Sequence, residues 1–269
     1  MNEIYTRVNY KSPRNFIINE FIREFDISKA NINILRMKNV ISEKDYDYLY
    51  HCDRMERQIK IGLLQRDNPD VVKILQNGII EAKKNFFEAN DIKDSEVLQI
   101  RNDAVFLLNR DPEIKDFDLV SFRLKNVYTS FYKTSQFEFF YFQDQIKNIE
   151  SLNVTGINDN TFKEKVIPLH QDYFLDFLLT VFDMAQNCSV QEVISLITSF
   201  YNQYINRELD IGYYREFNSD SMYKIVKFSM VDKFQYMIPS IDKKQLKYID
   251  IENNRLIIQD LFKIFSNLN

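Results

Sequence analysis

The sequence predicts an α+β protein in which helices pack on an antiparallel sheet and a mainly helical region follows. Apolar residues recur at helical spacing over residues 27–90, and β-branched and aromatic residues dominate residues 96–142. Helical spacing returns from Pro168 onward, and only 4 glycines and 5 prolines interrupt the 269 residues. We therefore expect two domains, a sheet-containing domain over 1–155 and a mainly helical domain over 156–269.

The sheet-containing domain begins with one apolar segment and four helical patterns. The apolar segment ends on Asp26, at the junction with the first helical pattern. Ser42 stands at a predicted helix start because a serine there accepts a hydrogen bond from the first turn, and Pro69 fits the opening of the last helix. The four helical patterns cover residues 27–39, 42–50, 53–66 and 69–90.

Strand patterns follow these helices, and mixed patterns follow the strands. The segment EVLQIRNDAVFLL, residues 96–108, predicts one strand, and residues 120–142 predict two more in an antiparallel sheet. The segment ESLNVTGINDN, residues 150–160, is a plausible joint between domains. The remaining predicted elements are helices over 168–187 and 189–207, a hairpin near 247–258 and a final helix.

Composition excludes several classes of protein. Cys52 and Cys188 are too few for a disulfide framework, and neither they nor His51 and His170 have a paired zinc-ligand spacing. No stretch approaches the length of a membrane span, and the first residues lack a signal core. Frequent Asn, Lys and Ile indicate an AT-rich coding genome such as that of a phage. We expect a soluble protein of the cytoplasm of a bacterial or phage-infected cell.

Two aspartates are the best candidates for catalytic residues. Asp26 and Asp103 each lie in or at the end of an apolar segment, where an unpaired carboxylate is costly to bury and a divalent cation would compensate the charge. Nucleotidyl transfer uses two metal ions held by carboxylates from different strands of one sheet. The alternative is that each aspartate caps a helix or pairs with an arginine.

The segments around these aspartates resemble the palm of family B DNA polymerases. DISKANINIL, residues 26–35, resembles the first palm motif of that family, which is an Asp followed after two residues by Ser-Leu-Tyr-Pro-Ser and aliphatic residues. Asp26 stands at the position of the metal-binding Asp, and Asn31 stands at the position of the sugar-selecting Tyr. VLQIRNDAVFLL resembles the Asp-Thr-Asp-Ser strand, with Asp103 on its metal-binding Asp and Arg101 on the other acid. The resemblance implies a palm-like sheet and two Mg²⁺ (or Mn²⁺) ions on Asp26 and Asp103.

The segment RMERQIKIG resembles the fingers motif of the same family, Lys, then Asn, then Tyr-Gly. Arg54 stands for the Lys, Gln58 for the Asn and Ile61 for the Tyr. Arg57 and Lys60 add cations in the same turns of helix. By resemblance these polar and cationic residues, with Asn31, bind the nucleotide, and charge suits them to hold a triphosphate.

Downstream segments extend the resemblance toward the primer. RLKNVYTSFYK supplies Lys125 and Tyr128 in the order of the Lys-Tyr motif that approaches the primer and nucleotide, so Lys125 is implied to be catalytic and both residues to contact primer and template. VTGIND, residues 154–159, resembles the start of a thumb, which makes the mainly helical region thumb-like. The chain before Asp26 is too short for a proofreading exonuclease.

The resemblance leaves three hypotheses about function. The first is a DNA polymerase-like nucleotidyltransferase that acts on primer-template and nucleoside triphosphates, or a primase-like enzyme that makes RNA, because Asn31 replaces the sugar-selecting Tyr. The second is a catalytically inert, polymerase-derived subunit of a larger replication or transcription assembly, since Asn31, Gln58, Ile61 and Arg101 depart from the family. The third is a structural module whose aromatic residues fill the core. The net charge of −4 implies that any nucleic-acid contact is local, and we expect help from other replication subunits.

Overall fold

Helices and an antiparallel sheet make up the computed structural model, which confirms the predicted α+β class. The structure describes residues 4–133, 138–144, 149–155, 174–209, 213 and 252–267. The strands are β1 Asn9–Lys11, β2 Phe16–Ile27, β3 Val97–Arg101, β4 Ala104–Leu108, β5 Asp116–Phe117, β6 Val120–Lys133, β7 Glu138–Asp144 and β8 Ile149–Thr155. The helices are α1 Ala30–Met37, α2 Glu43–His51, α3 Arg54–Asp67, α4 Asp70–Ala89, α5 Phe174–Asn187, α6 Val190–Asn206 and α7 Glu252–Ser266.

The chain divides into two compact units. The first unit comprises Met1–Arg14 and Glu20–Val127, and the second comprises Asn15–Asn19 and Tyr128–Asn269. The strands β2 and β6 therefore each contribute residues to both units. The division falls within β2 and β6, and the domain boundary predicted over 150–160 stays a prediction.

The sheet of the first unit carries its strands in the order β1-β3-β4-β2-β6, and β5 pairs with β6. The pairs β1–β3, β3–β4 and β4–β2 are antiparallel. Phe25 of β2 lies opposite Val105 of β4, and both side chains are fully buried. Because side chains alternate along a strand, Phe25 and Ile27 share one face of the sheet and Glu24 and Asp26 share the other.

The helix α4 supplies most of the apolar surface that packs with the sheet of the first unit. Its residues Val71, Leu75, Ile79 and Phe86 recur at helical spacing and are at most 5% exposed. The ring of Phe86 stacks on Phe122 of β6, with 4.1 Å between ring centroids. This spacing is the pattern that predicts a helix over 69–90, and the prediction is confirmed.

The two preceding helices begin at side-chain caps. The Asp45 backbone N–H donates to Ser42 Oγ over 3.1 Å, and the Glu56 N–H donates to the carboxylate of Asp53 over 2.9 Å. Each cap satisfies an N–H group that the first helical turn leaves without a backbone partner. The helices predicted over 42–50 and 53–66 are thereby confirmed.

Aromatic residues build the core of the second unit. Tyr141 of β7 stacks on Phe182 of α5 with 5.7 Å between centroids, and Phe177 of α5 stacks on Phe200 of α6 with 3.6 Å. Phe139, Phe140 and Tyr141 of β7 are fully buried and therefore belong to this core. The helix predictions over 168–187 and 189–207 are confirmed for the part that the structure describes, from Phe174 onward.

Three predicted elements are wrong. Residues 96–108 form a hairpin and not a single strand, because Asn102 adopts a positive φ of 51° and reverses the chain. Residues 150–155, part of the predicted joint, belong to β8, which pairs along its whole length with β7. Residues 252–258, part of the predicted hairpin, begin α7, in which Ile257, Leu261 and Phe265 recur every fourth residue and are buried.

Several sequence segments lie outside the described residues. They include residues 156–159 of the thumb-like segment, residues 168–173 of the helix predicted over 168–187 and residues 247–251 of the predicted hairpin. Among the helices that the structure does describe, none is both long enough and apolar enough to cross a membrane.

Candidate active site

Asp26 stands at the end of β2, one residue before the strand ends at Ile27. Its neighbours Phe25 and Ile27 point into the core, at 0% and 3% exposure, so the pleat directs Asp26 to the opposite face. Asp26 lies opposite Ala104, the first residue of β4. The prediction that Asp26 lies at the junction between the apolar segment and the first helix is confirmed.

Asp103 lies in the turn of the β3–β4 hairpin, beside the end of β2. Arg101 pairs with Ala104, so Asn102 and Asp103 form the turn between them. The Asn102 N–H donates to Val8 O over 2.7 Å, and the Ile27 N–H donates to Asp103 O over 3.3 Å. These two hydrogen bonds fix the turn next to Asp26, so a strand end and a hairpin turn bring the two predicted aspartates together.

The two carboxylates interact electrostatically. Burial, together with the charges of Asp103 and Glu24, raises the pKa of Asp26 to about 6, against the opposing charge of Lys125. A raised pKa means that the folded protein disfavours the ionised form of Asp26 at neutral pH. A cation placed between these carboxylates would relieve both the repulsion and the cost of burial.

Glu24 is a site residue that the sequence analysis missed. It lies two residues before Asp26 and therefore on the same face of β2, and it is 5% exposed. Lys125 Nζ lies 2.9 Å from Glu24 Oε1, and Asn126 Nδ2 donates to Glu24 Oε2 over 2.7 Å. The sequence signal was the Glu-Phe-Asp spacing, which places two acids on one face of a strand.

Lys125 lies beside the carboxylates, where it contacts Glu24. Burial lowers the pKa of Lys125, but its hydrogen bond to Glu24 and the charges of Glu24, Asp26 and Asp103 outweigh burial, and the net pKa is raised. Lys125 therefore stays protonated and positively charged at neutral pH, next to Asp26 and Asp103. Its side chain is 55% exposed, so it remains accessible to a substrate while it contacts Glu24.

Lys83 is a second cation that the sequence analysis missed. It lies on α4, four residues after the buried Ile79, is fully buried and donates from Nζ to Arg7 O over 2.7 Å. Burial lowers the pKa of Lys83 to about 8, and the charge of Asp103 opposes this change. The sequence signal was a lysine on the core face of an amphipathic helix. Lys83 joins α4 to the amino-terminal segment whose Val8 carbonyl holds the hairpin turn.

Comparison with known proteins shows the family to which the chain belongs. The model of a family described as Bacteriophage PBS1 gene 130 protein matches residues 1–267. The chain belongs to this family. No curated protein matches the chain. The gene 130 family supports the expectation of a phage protein.

The residues predicted to bind nucleotide lie on two helices of this gene 130 family member. Asn31 is exposed on α1, and Arg54, Gln58 and Lys60 are exposed on α3. They stay predicted ligands of a triphosphate. Arg57 has a different position: its Nε donates to Leu49 O and its Nη2 to Cys52 O, each over 2.8 Å. The guanidinium of Arg57 thus holds the carboxyl end of α2, and a structural role accounts for it.

Two other predicted residues have roles in packing. Tyr128 is 2% exposed in the second unit, and its ring lies 4.9 Å from that of Phe140. The prediction that Tyr128 contacts a primer does not fit this position, because a buried ring offers no surface to a nucleic acid. Arg101, which stands at the position of the first acid of the Asp-Thr-Asp-Ser motif, places its guanidinium 4.8 Å from the centre of the Phe106 ring.

The donor set around Asp26 and Asp103 suits an open metal site. Among the residues that the structure describes, no group of three or more His, Cys, Asp and Glu side chains forms a metal cage. Mg²⁺ in phosphoryl-transfer sites is commonly bound by one or two protein carboxylates together with substrate phosphates. The paired aspartates, where burial and mutual repulsion raise the Asp26 pKa, would therefore fit Mg²⁺ or Mn²⁺ that arrives with a nucleotide.

Replacing Lys83 by Met tests its buried charge. The folded-state pKa of about 8 lies below the ordinary value of 10.5, so between these values the unfolded chain binds more protons than the folded chain. Stability of the wild type should therefore rise from pH 8 to pH 10 by on the order of 2 kcal/mol relative to Lys83→Met. Urea unfolding at several pH values measures this difference. The exposed neighbour Lys84→Met is the control, and parallel pH curves for wild type and Lys83→Met would contradict the assignment.

Proposed function

We propose that this protein is a metal-dependent nucleotidyltransferase that adds nucleotides to a 3′-hydroxyl on a template. One observation carries the proposal: the end of β2 and the turn of the β3–β4 hairpin place Asp26 and Asp103 side by side on one antiparallel sheet. Their electrostatic coupling supports the same conclusion. Paired carboxylates from neighbouring strands are the arrangement that two-metal nucleotidyl transfer requires.

Each residue of the site would have a separate role in the reaction. Asp26 and Asp103 would hold two Mg²⁺ or Mn²⁺ ions, which when bound activate the attacking hydroxyl and stabilise charge on the leaving pyrophosphate. Lys125, accessible and positively charged beside the pair, would contact the phosphates of the reacting strand. Glu24 would orient Lys125 through their 2.9 Å contact. Its buried carboxylate needs Lys125 and Asn126 as partners, so it is a positioning residue.

The nucleotide would meet cations and amides on the helices that follow β2. Asn31 on α1, and Arg54, Gln58 and Lys60 on α3, are exposed and therefore available to a triphosphate. With a net charge of −4 the chain has little general attraction for nucleic acid, so primer-template binding would rely on local contacts and on other replication subunits. We place this activity in the cytoplasm of the phage-infected cell.

A catalytically inert, polymerase-derived subunit is the second candidate function. The observation that favours it is the number of lysines near the pair: Lys83 and Lys125 both interact electrostatically with Asp103. These cations compensate part of the acidic charge without any metal. On this alternative the protein binds no divalent cation at Asp26 and Asp103 and acts within a larger assembly.

Incorporation of labelled nucleotides tests the proposed function. We expect wild-type protein to extend a primed template with dNTPs or rNTPs in the presence of Mg²⁺ or Mn²⁺, and Asp103→Asn to lose this activity by at least about 10³-fold. The sugar that is incorporated distinguishes a DNA polymerase from a primase-like enzyme. The control is Asp91→Asn, an exposed aspartate with φ of 48°, a conformation that Asn adopts readily.

The outcome separates the two candidates. Extension that Asp103→Asn retains at the wild-type level would contradict the proposed role of the aspartates. Absence of extension by wild-type protein on every primed template, together with absence of divalent-cation binding, would favour the inert subunit.

A further inference from the structure

The helix α3 exposes an apolar stripe in addition to the face that it packs inside the first unit. Ile61, at 5% exposure, belongs to the core, whereas Met55, Ile59 and Leu63 are 72%, 57% and 40% exposed. These three residues follow each other at intervals of four, so each is rotated about 40° from the one before and together they form one continuous stripe. Tyr48 of α2, 50% exposed, donates to Glu56 and lies at the edge of this stripe.

Gly62 leaves the helix surface beside the stripe without a side chain. A glycine inside a helix costs about 1 kcal/mol relative to alanine, so it needs a reason. A Cβ at Gly62 would meet nothing within 4 Å, so packing inside the chain does not require the glycine. An exposed glycine beside exposed Ile59 and Leu63 lets a second helix approach the α3 backbone closely.

The charges that flank the stripe are self-complementary. Glu56 and Lys60 lie four residues apart along one edge of it. When two copies of α3 cross antiparallel with Ile59 at the centre, Met55 of each copy meets Leu63 of the other. The same arrangement places Glu56 of each copy beside Lys60 of the other, so a two-fold axis produces two identical ion pairs.

We propose that α3 is a self-association surface whose partner is a second copy of this chain. The stripe from Met55 to Leu63 forms the apolar centre, Gly62 permits close approach, and Glu56 with Lys60 sets the antiparallel orientation. The surface does not include Asp26 or Asp103, which lie at the end of β2 and in the β3–β4 turn. Lys60 is also one of the proposed ligands of the triphosphate, so the experiments below contain no nucleotide and measure association alone.

The small area of the stripe is typical of a weak dimer. Burying it would remove on the order of 400 Å² per copy from water, about half of what a standard stable interface buries per partner. We therefore expect a reversible dimer with a dissociation constant on the order of 100 μM. Such a dimer would form readily where the protein is locally concentrated and dissociate on dilution.

Sedimentation velocity of the full chain tests the surface. We expect the sedimentation coefficient of wild type to rise from the monomer toward the dimer value between about 5 and 500 μM, and Ile59→Lys to remain monomeric throughout. Ile59 is 57% exposed, so this substitution leaves the fold intact. The matched control is Ile114→Lys, which alters an isoleucine of 47% exposure outside α3 and should leave the association unchanged.

A charge exchange tests the orientation. Glu56→Lys alone should weaken the dimer about threefold to tenfold, because like charges then face each other, and Glu56→Lys with Lys60→Glu should restore it. A wild-type chain that stays monomeric at every concentration would overturn the proposal and leave the stripe for a different protein. Equal loss of association in Ile59→Lys and Ile114→Lys would also overturn it, as would a double exchange that restores nothing.

Discussion

Replacing Asp26 by Asn is expected to abolish nucleotide incorporation and to stabilise the fold at pH 7. Activity falls by at least about 10³-fold, because the amide oxygen is a poor ligand for a divalent cation and one member of the carboxylate pair is lost. The free energy of unfolding rises by about 1 to 2 kcal/mol, a value reduced for solvent screening, because Asn removes a partly buried charge that Asp103 repels. A residue that serves only the fold would not show this opposition between activity and stability.

The stability difference between Asp26→Asn and wild type should depend on pH. The folded-state pKa of about 6 lies above the ordinary value of 3.8, so between these values the folded chain binds more protons than the unfolded chain. Wild-type stability attributable to Asp26 is therefore present below pH 4 and is lost as the pH rises through 6. In urea unfolding from pH 4 to pH 7, the free energy of unfolding of Asp26→Asn should increase relative to that of the wild type. The control Asp91→Asn should show no such pH-dependent difference from the wild type. A variant that is less stable than wild type at pH 7 would contradict the electrostatics of the site.

Replacing Gly78 by Ala is expected to destabilise the first unit by about 2 kcal/mol, in the range of overpacked cores. A Cβ at Gly78 would lie inside van der Waals contact of Ile34 Cγ2 and 3.3 Å from Ile34 Cβ and Cγ1. Ile34 is 1% exposed on α1, so surrounding side chains prevent it from moving away. The close approach of α1 and α4 therefore depends on the missing side chain.

A matched glycine and a compensating change check this cost. Gly62→Ala should instead stabilise the protein by about 0.5 to 1 kcal/mol, because its Cβ meets nothing and alanine is the better helix former. Ile34→Leu removes the branch carbon that Gly78→Ala would strike, so the double variant should recover part of the loss. Thermal or urea unfolding measures the stability of the wild type, Gly78→Ala, Gly62→Ala and the double variant Ile34→Leu, Gly78→Ala. Equal effects of Gly78→Ala and Gly62→Ala would show that α1 and α4 do not pack as described.

Elements with strong periodicity were predictable from the sequence, and the position of turns was not. The spacing in α4 and the caps Ser42 and Asp53 identify helices because the signals are local. The single strand predicted over 96–108 failed because only two turn residues, Asn102 and Asp103, separate the apolar segments of β3 and β4, and the reversal rests on the positive φ of Asn102. The prediction of a hairpin near 247–258 failed where the described helix begins, because the buried residues that define the helical spacing, Ile257, Leu261 and Phe265, lie mostly after residue 258.

The acidic pair was predictable because each aspartate interrupts an apolar segment, and the surrounding charges were not. Glu24 lies near the aspartates because of the pleat of β2, and Lys83 lies near them because it is on the core face of α4. Neither position can be assigned to the site until the order of the strands in the sheet is known. Arg57 and Tyr128 were predicted as ligands because they fit a motif spacing. Tertiary structure instead directs Arg57 to the carbonyls of α2 and Tyr128 into an aromatic core.

Direct measurement of Mn²⁺ binding tests the central claim, that Asp26 and Asp103 hold divalent cations. Electron paramagnetic resonance of free Mn²⁺, titrated with protein in the presence of a non-hydrolysable nucleoside triphosphate, reports bound ions without requiring activity or a partner. We predict binding by wild type and by Asp91→Asn, and its loss in the double variant Asp26→Asn, Asp103→Asn. Binding of equal strength by wild type and the double variant, or no binding by any of them, would contradict the claim.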